Sequence, residues 1–310
     1  MREAAYTYRI PLPASRHKMQ GFAIPHDIAY TPRMDHLDRL EAQSIYIFRE
    51  AYHAIKPLGM LWSFGKDSTV MIRLAQKAFF GRVPFPLIHC DTELEMEEVY
   101  AYRDRYVKEW DLNFISHLCP PYEATDPSLP HSARVAARKT LGLKEVIDQH
   151  GFKGIIAGIR RDEEGTRAKE RIFSPRGREG AWDVKAQPPE FWDQFHTHFP
   201  PDTHVRVHPL LQWTEIDIWR YIERENIPVV PLYYAREYGD FEGRDFGGQR
   251  MRFRSLGERG ITWPVASDAD TIEAIIAELA VTKVSERSGR PMGADEDESS
   301  FERLRAAGYM

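Results

Sequence analysis

Little in this sequence suits an exported or membrane-bound protein. Its 310 residues hold only two cysteines, Cys90 and Cys119, too few for a disulfide framework. Both lie in or beside apolar, strand-like runs and read as reduced thiols of a cytoplasmic protein. No apolar run approaches the ~20 residues that a membrane-spanning helix needs. Residues 1–20 have no continuous apolar segment followed by a small-residue cleavage site, so no secretory signal is expected. A net charge of −5 argues against a general nucleic-acid binder. His196, His198, His204 and His208 lie close together, but without zinc-site spacing or a companion cysteine. They read as surface or loop histidines. The Walker A pattern and any internal repeat are also missing.

What is there alternates. Residues 1–35 carry scattered prolines (Pro11, Pro13, Pro25, Pro32) and no periodicity, which describes an irregular extension. An apolar stripe of Leu37, Leu40, Ile47, Phe48, Ala51 and Ile55 predicts a helix over 36–56. Strands are then expected at 59–64, 85–90, 112–118 and 154–159, with helices at 68–80, 95–110 and 132–149. Strands separated by such helices imply βαβ crossovers and a doubly wound parallel α/β sheet. Residues 160–204, rich in Arg, Pro and aromatics, read as a long functional loop. A last strand is expected at 205–211, and a helix running to about Glu225 is capped by Thr214 with Asp217 three residues on. Residues 235–260 read as loop, 270–281 as a helix and the acidic 294–300 as mobile.

The chemistry gathers where the first strand meets its helix. Ser63, Phe64, Gly65, Lys66, Asp67, Ser68 and Thr69 form a strand–loop–helix junction. There, backbone N–H groups and the helix dipole attract an anion. Gly65 allows close backbone approach, Lys66 supplies a point charge, and Ser63 and Ser68 supply hydroxyls. Asp67 would repel phosphate, so it suits a magnesium ion or the holding of the loop. The bland alternative is an ordinarily capped helix N-terminus.

A second cluster follows the fourth strand: Arg160, Arg161, Arg167, Lys169 and Arg171, interspersed with Asp162, Glu163, Glu164 and Glu170. Ligands of open parallel sheets bind at that edge, where guanidiniums can clamp anions and developing charge. The alternative is a self-paired charge run. Cys90 is either a thiol near the site or a buried inert one. Trp213, Trp219 and Tyr221 read as core, and the stretch Pro231-Leu232-Tyr233-Tyr234 as a candidate cleft wall.

The Ser-x-Gly-Lys-Asp-Ser loop after the first strand resembles the pyrophosphatase loop of the adenine-nucleotide α-hydrolase-like (PP-loop) superfamily. Within it, the stretches at 37–50, 63–80, 84–92, 160–174 and 205–232 resemble the small catalytic subunit of the two-subunit bacterial sulfate adenylyltransferases. The most specific is Arg-Arg-Asp-Glu-Glu-Gly-Thr-Arg-Ala-Lys-Glu-Arg-Ile-Phe-Ser, residues 160–174. The resemblance implies ATP and Mg2+ as cofactors and an AMP transfer to sulfate that releases pyrophosphate. It also implies a separate large GTPase subunit whose hydrolysis drives this uphill reaction; no GTPase motif occurs in this chain. A homo-oligomer stays open. Lys66, Arg160, Arg161 and Arg171 are the expected catalytic residues. Residues 63–69, Asp91 and Gly158 are expected to bind the nucleotide, with Asp67 at the metal. The domains implied are an extension over 1–35, an ATP pyrophosphatase α/β domain over 36–235, and a region over 236–310 that covers the cleft or meets the partner.

Two departures from the family pattern matter. Glu93 stands where the family has glycine, and Thr262-Trp263-Pro264 replaces a Thr-Gly element. Were Glu93 to point inward, about 4 Å from an anionic acceptor, the repulsion would be about 4 kcal/mol at an effective dielectric of about 20. Pointing outward, it is only a charged first turn. A different acceptor, or a nucleotide-binding subunit without turnover, therefore stays open. The related reductases carry a C-terminal redox cysteine, and no cysteine follows Cys119 here.

Overall fold

Asp35 starts the first helix: its carboxylate accepts the Asp38 N–H while Asp38 accepts the Asp35 N–H, a reciprocal capping box. The computed structural model describes residues 34–163, 165–177, 180–282 and Glu286. The expected extension over 1–35, save its last two residues, and the acidic stretch at 294–300 lie outside the described residues. The described residues from Asp35 onward belong to one compact unit. No described helix is long and apolar enough to cross a membrane.

Chain order runs α1 (His36–Ala54), β1 (Leu58–Leu61), α2 (Lys66–Ala78), β2 (Leu87–Asp91), α3 (Glu97–Glu109) and β3 (Phe114–Leu118). It continues α4 (His131–His150), β4 (Gly154–Ile156), β5 (Phe173–Arg176), β6 (His204–Val207) and α5 (Glu215–Glu225). The six strands lie in the order β3-β2-β1-β4-β6-β5, all parallel except β5, which runs antiparallel to β6. The strand order reverses between β1 and β4, which opens a crevice beyond their C-terminal ends. Helices on both faces bury apolar strands such as Leu58-Gly59-Met60 and Gly154-Ile155-Ile156. Trp62, Trp213 and Trp219 are wholly enclosed. The capping box of Thr214 and Asp217 starts α5 as the sequence predicts.

Two stretches expected to be loop are strands. β5 lies inside 160–204; at four residues, with Pro175 among them, it is tolerated because it is an edge strand. Residues 236–266 form a three-stranded antiparallel sheet of β7 (Arg236–Phe241), β8 (Arg244–Arg252) and β9 (Val265–Ala266). Glu242 and Gly243, at φ 52° and 77°, form its hairpin turn. Its glycines and arginines conceal the strand pattern because most of the hairpin is exposed. Last comes α6 (Ile272–Val281), whose N-cap is Thr271.

Candidate active site

The backbone reverses at Phe64, whose φ of 61° lies in the left-handed region. That conformation is costly for a bulky residue. Its ring is held in the core against Trp62, at 4.7 Å between centroids, and against His89. Gly65, expected to allow close backbone approach, is an extended N-cap at φ −69°. A methyl group there would meet the Ser63 and Tyr233 oxygens at an ordinary 3.5 Å. The glycine therefore keeps space open rather than permitting an unusual dihedral. Thr69 takes an indole N–H from Trp62, so Phe64 and Thr69 brace the loop from within. The N–H groups of Asp67 and Ser68 sit in the first turn, which offers them no intrahelical acceptor. Ser63 and Ser68 exchange a hydroxyl contact of 3.2 Å. Tyr233 accepts the Lys66 N–H at 2.9 Å and lines the same cavity, as expected for a cleft wall.

Five charged side chains meet here. The Lys66 ammonium lies 2.5 Å from Glu286 Oε1 and 3.3 Å from Asp67. The buried Arg160 guanidinium pairs with Asp67, with Asp162 at 2.9 Å and with Glu286 Oε2 at 2.6 Å. Burial works against the Arg160 charge, yet Glu286 and then Asp162 and Glu163 raise its pKa. Burial would likewise raise Glu286, but Lys66 and Arg160 hold it down at about 2. One carboxylate thus sits between the loop lysine and the first arginine. Gly158 closes the corner: a side chain on it would press on Met71 at 3.0 Å and on the Ser68 amide.

From the loop, one cavity runs between α4 and the 255–262 segment. Leu61, Ile88, Val135, Ala136 and Leu143 form its apolar wall, and His89, Lys139 and Glu258 also line it. Lys139 pairs with Glu258 and lies 3.5 Å from Glu95. Burial, and next the Lys139 charge, push His89 down to about 3. Burial also raises Glu95; Lys139 opposes it, the Glu258 charge reinforces it, and the value reaches about 7. A raised carboxylate binds its proton more tightly in the folded state than in the unfolded chain, so its contribution to stability falls as pH climbs through that interval. Glu95→Gln should accordingly gain stability relative to the parent between pH 4.5 and about 7. Urea denaturation at several pH values measures it; a pH-independent difference would refute it.

The other expected site residues are placed differently. Arg161 donates to the Glu170 carbonyl, and Arg171 to the carbonyls of Pro188 and Lys169; neither lines the cavity. Asp91 accepts from the Glu93 N–H, the Tyr100 hydroxyl and Arg103, so its oxygens hold the turn after β2 and do not face the cavity. Cys90 does line it, while Cys119 is buried. Among the described residues no group of three or more His, Cys, Asp or Glu could hold a metal ion. His208, read from sequence as a surface or loop residue, is fully buried.

Glu93 is exposed, which settles its orientation outward. Its φ of 61° explains why glycine suits the position. Glu93→Gly should stabilise the protein by about 1 kcal/mol, because the left-handed strain disappears. It should leave the KM for an anionic acceptor unchanged; urea denaturation and steady-state kinetics read the two effects. A lowered KM would mean that the carboxylate faces the acceptor after all. Sequence reading missed Glu286, Lys139, Glu95 and Glu258. None stands in a phosphate-binding pattern, and each reaches the site by tertiary packing.

A parallel α/β sheet with an anion-binding strand–loop–helix junction at its switch point defines a class of nucleotide-binding proteins. The family model described as phosphoadenosine phosphosulfate reductase domain matches residues 57–264, which places the chain in that class. The chain belongs to the sulfate adenylyltransferase subunit 2 family. It is 42% identical over 299 residues to sulfate adenylyltransferase subunit 2 of Phocaeicola vulgatus, covering 89% of this chain and 98% of the relative. It is 39% identical over 305 residues to that of Mesorhizobium japonicum, covering 90% and 99%. Among solved structures, FMN adenylyltransferase of Candida glabrata with ATP is similar at 17% identity and a TM-score of 0.48, over 87% of this chain and 80% of that one.

Proposed function

We propose that this chain is the catalytic subunit of a sulfate adenylyltransferase. A sulfate oxygen attacks the α-phosphorus of ATP, the bond from that phosphorus to the bridging oxygen breaks, and pyrophosphate leaves. The product is adenosine 5′-phosphosulfate. Relatives named sulfate adenylyltransferase subunit 2 align with about nine-tenths of the chain, which supports the reading. The observation that carries it is the Glu286 carboxylate held by Lys66 and Arg160 at the N-terminus of α2. The phosphate oxygens of ATP would take that carboxylate's place.

Lys66 and the first-turn N–H groups then carry the departing pyrophosphate charge, helped by the Ser63 and Ser68 hydroxyls. Arg160 holds the loop and shares that charge, and Gly158 keeps room beside it. The apolar wall against α4 suits the adenine ring. Arg161, Arg171 and Asp91 serve as positioning residues, through the carbonyls and turn that they hold. Asp67 lines the cavity but is already paired with Arg160 and Lys66. Asp67 would be the residue to hold a magnesium ion there. When bound, such an ion neutralises phosphate charge.

The large partner subunit is proposed to be a GTPase that drives the uphill transfer, and the site of action the cytoplasm. Residues 236–310 are proposed as the covering and partner-contacting region. The outward Glu93 removes the repulsion that would have favoured another acceptor.

Pyrophosphate release from Mg-ATP, measured with and without sulfate and with and without a co-purifying GTPase, tests the proposal. Release that depends on sulfate and rises with GTP is expected. Sulfate-independent release would point to a different acceptor, and nucleotide binding without release to a subunit without turnover.

A further inference from the structure

The face of the sheet that carries α4 holds a buried cationic cluster that the reading above leaves without a task. Arg206 on β6 lies across from Ser174 on β5, and Arg176 across from His204; with a period of two along each strand, all four share one face. Ile155, the β4 partner of Arg206, packs with Leu143 and Val146 of α4, and Leu143 also walls the ATP cavity. The cluster therefore adjoins that cavity, and Arg167 lines the cavity beside it.

Arg206 is only 3% exposed, yet its Nε and Nη1 have no hydrogen-bond partner. Arg176, 4% exposed, spends Nη2 on Glu170 at 3.0 Å, stacks over Trp182 and leaves Nε unbonded. The Trp182 indole N–H and the Nε2 atoms of His204 and His208 are unbonded too. Burial first, then the neighbouring arginines, push His204 down to about 2. Burial, and next Arg176, lower Arg206 to about 9, so it is still a cation at neutral pH.

Among the described residues Glu170 is the carboxylate that faces this group, and it is already bonded to Arg176 and Ser174. Buried donors left unbonded are rare, and a buried guanidinium without a counter-charge is costly. Several such donors on one sheet face, unbonded among the described residues, suit an anionic ligand. Two arginine forks with an indole N–H match the oxygens of a tetrahedral oxyanion.

We propose that Arg176 and Arg206 form a buried oxyanion subsite beside the ATP cavity that receives the acceptor, sulfate. The identity of the ligand rests on the sulfate adenylyltransferase reading; the existence of an anion site does not.

Sulfate binding to the full chain, titrated by calorimetry with and without a non-hydrolysable ATP analogue, tests it in the parent, Arg206→Met, Arg206→Lys and Arg176→Met. Loss of charge-assisted hydrogen bonds should weaken sulfate binding by about tenfold or more in both methionine variants. The affinity for the ATP analogue should stay within about twofold, because neither arginine lines that cavity. Arg206→Lys, which keeps the charge, should recover part of the loss. Thermal denaturation separates binding from structure. In sulfate-free buffer Arg206→Met should melt no lower than the parent, and a given sulfate concentration should raise the parent's midpoint more than that of either methionine variant.

Unchanged sulfate affinity in Arg206→Met, or a lowered midpoint that sulfate does not affect, would overturn the proposal. Equal or tighter binding of inorganic phosphate or pyrophosphate would overturn the assignment to the acceptor. If the parent releases no pyrophosphate with sulfate, the reaction is refuted while the titration still decides the subsite. If Arg206→Met keeps sulfate-dependent release with an unchanged KM, the subsite is refuted while the reaction stands.

Discussion

Lys66→Ala should lower kcat/KM for sulfate-dependent pyrophosphate release by about 100- to 1,000-fold, the loss that follows removal of one preorganised stabiliser of transition-state charge. Its ammonium is buried, points at the carboxylate of Glu286 and stands over the first turn of α2. In a water-poor site a fixed charge interacts with a departing pyrophosphate far more strongly than it would in bulk solvent. The fold should survive, since Glu286 keeps its bond from Arg160 and the loop keeps its bracing through Phe64 and Thr69. Steady-state pyrophosphate release and circular dichroism on the same preparation measure both halves. Near-normal turnover would remove the loop lysine from the mechanism.

Arg160→Met should act on stability as well as on rate. The guanidinium is 1% exposed and joins Asp67, Asp162 and Glu286. Without it, three carboxylates would share one corner with Lys66 as the neighbouring cation. Breaking a buried ion pair by removing one partner costs about 3–5 kcal/mol, because the charges left behind stay desolvated. The damage should spread to α5, since Asp162 also accepts the Glu215 N–H at 2.7 Å. A fall in the urea midpoint with an unchanged slope is the expected signature. A loss below about 1 kcal/mol would mean that the carboxylates find other partners or take up protons.

How much was legible in the sequence depended on how local each feature is. The alternation of short apolar strands with helices gave the parallel sheet, because burial on both faces leaves near-continuous apolar runs such as Leu58-Gly59-Met60. The phosphate loop could be read because its parts are contiguous and its strand–loop–helix setting has a pattern. The hairpin of β7 and β8 could not, since its strands are mostly exposed and carry no alternating apolar face. Arg161 and Arg171 share a charged run with Arg160, and charge alone does not say which side chain turns toward Asp67 of the loop. Their path is set by carbonyls of Glu170, Pro188 and Lys169.

By itself, then, the sequence determined the doubly wound sheet, the loop at residues 63–69 and the family, since all three rest on short-range order along the chain. Only the tertiary structure decided that Lys66 meets Glu286, 220 residues away, and Tyr233, 167 residues away. It also turned Glu93 to solvent and placed Arg176 beside His204 and Arg206 beside Ser174. Such contacts join distant segments, and the packing of whole elements, rather than any local pattern, sets which side chains share a buried corner.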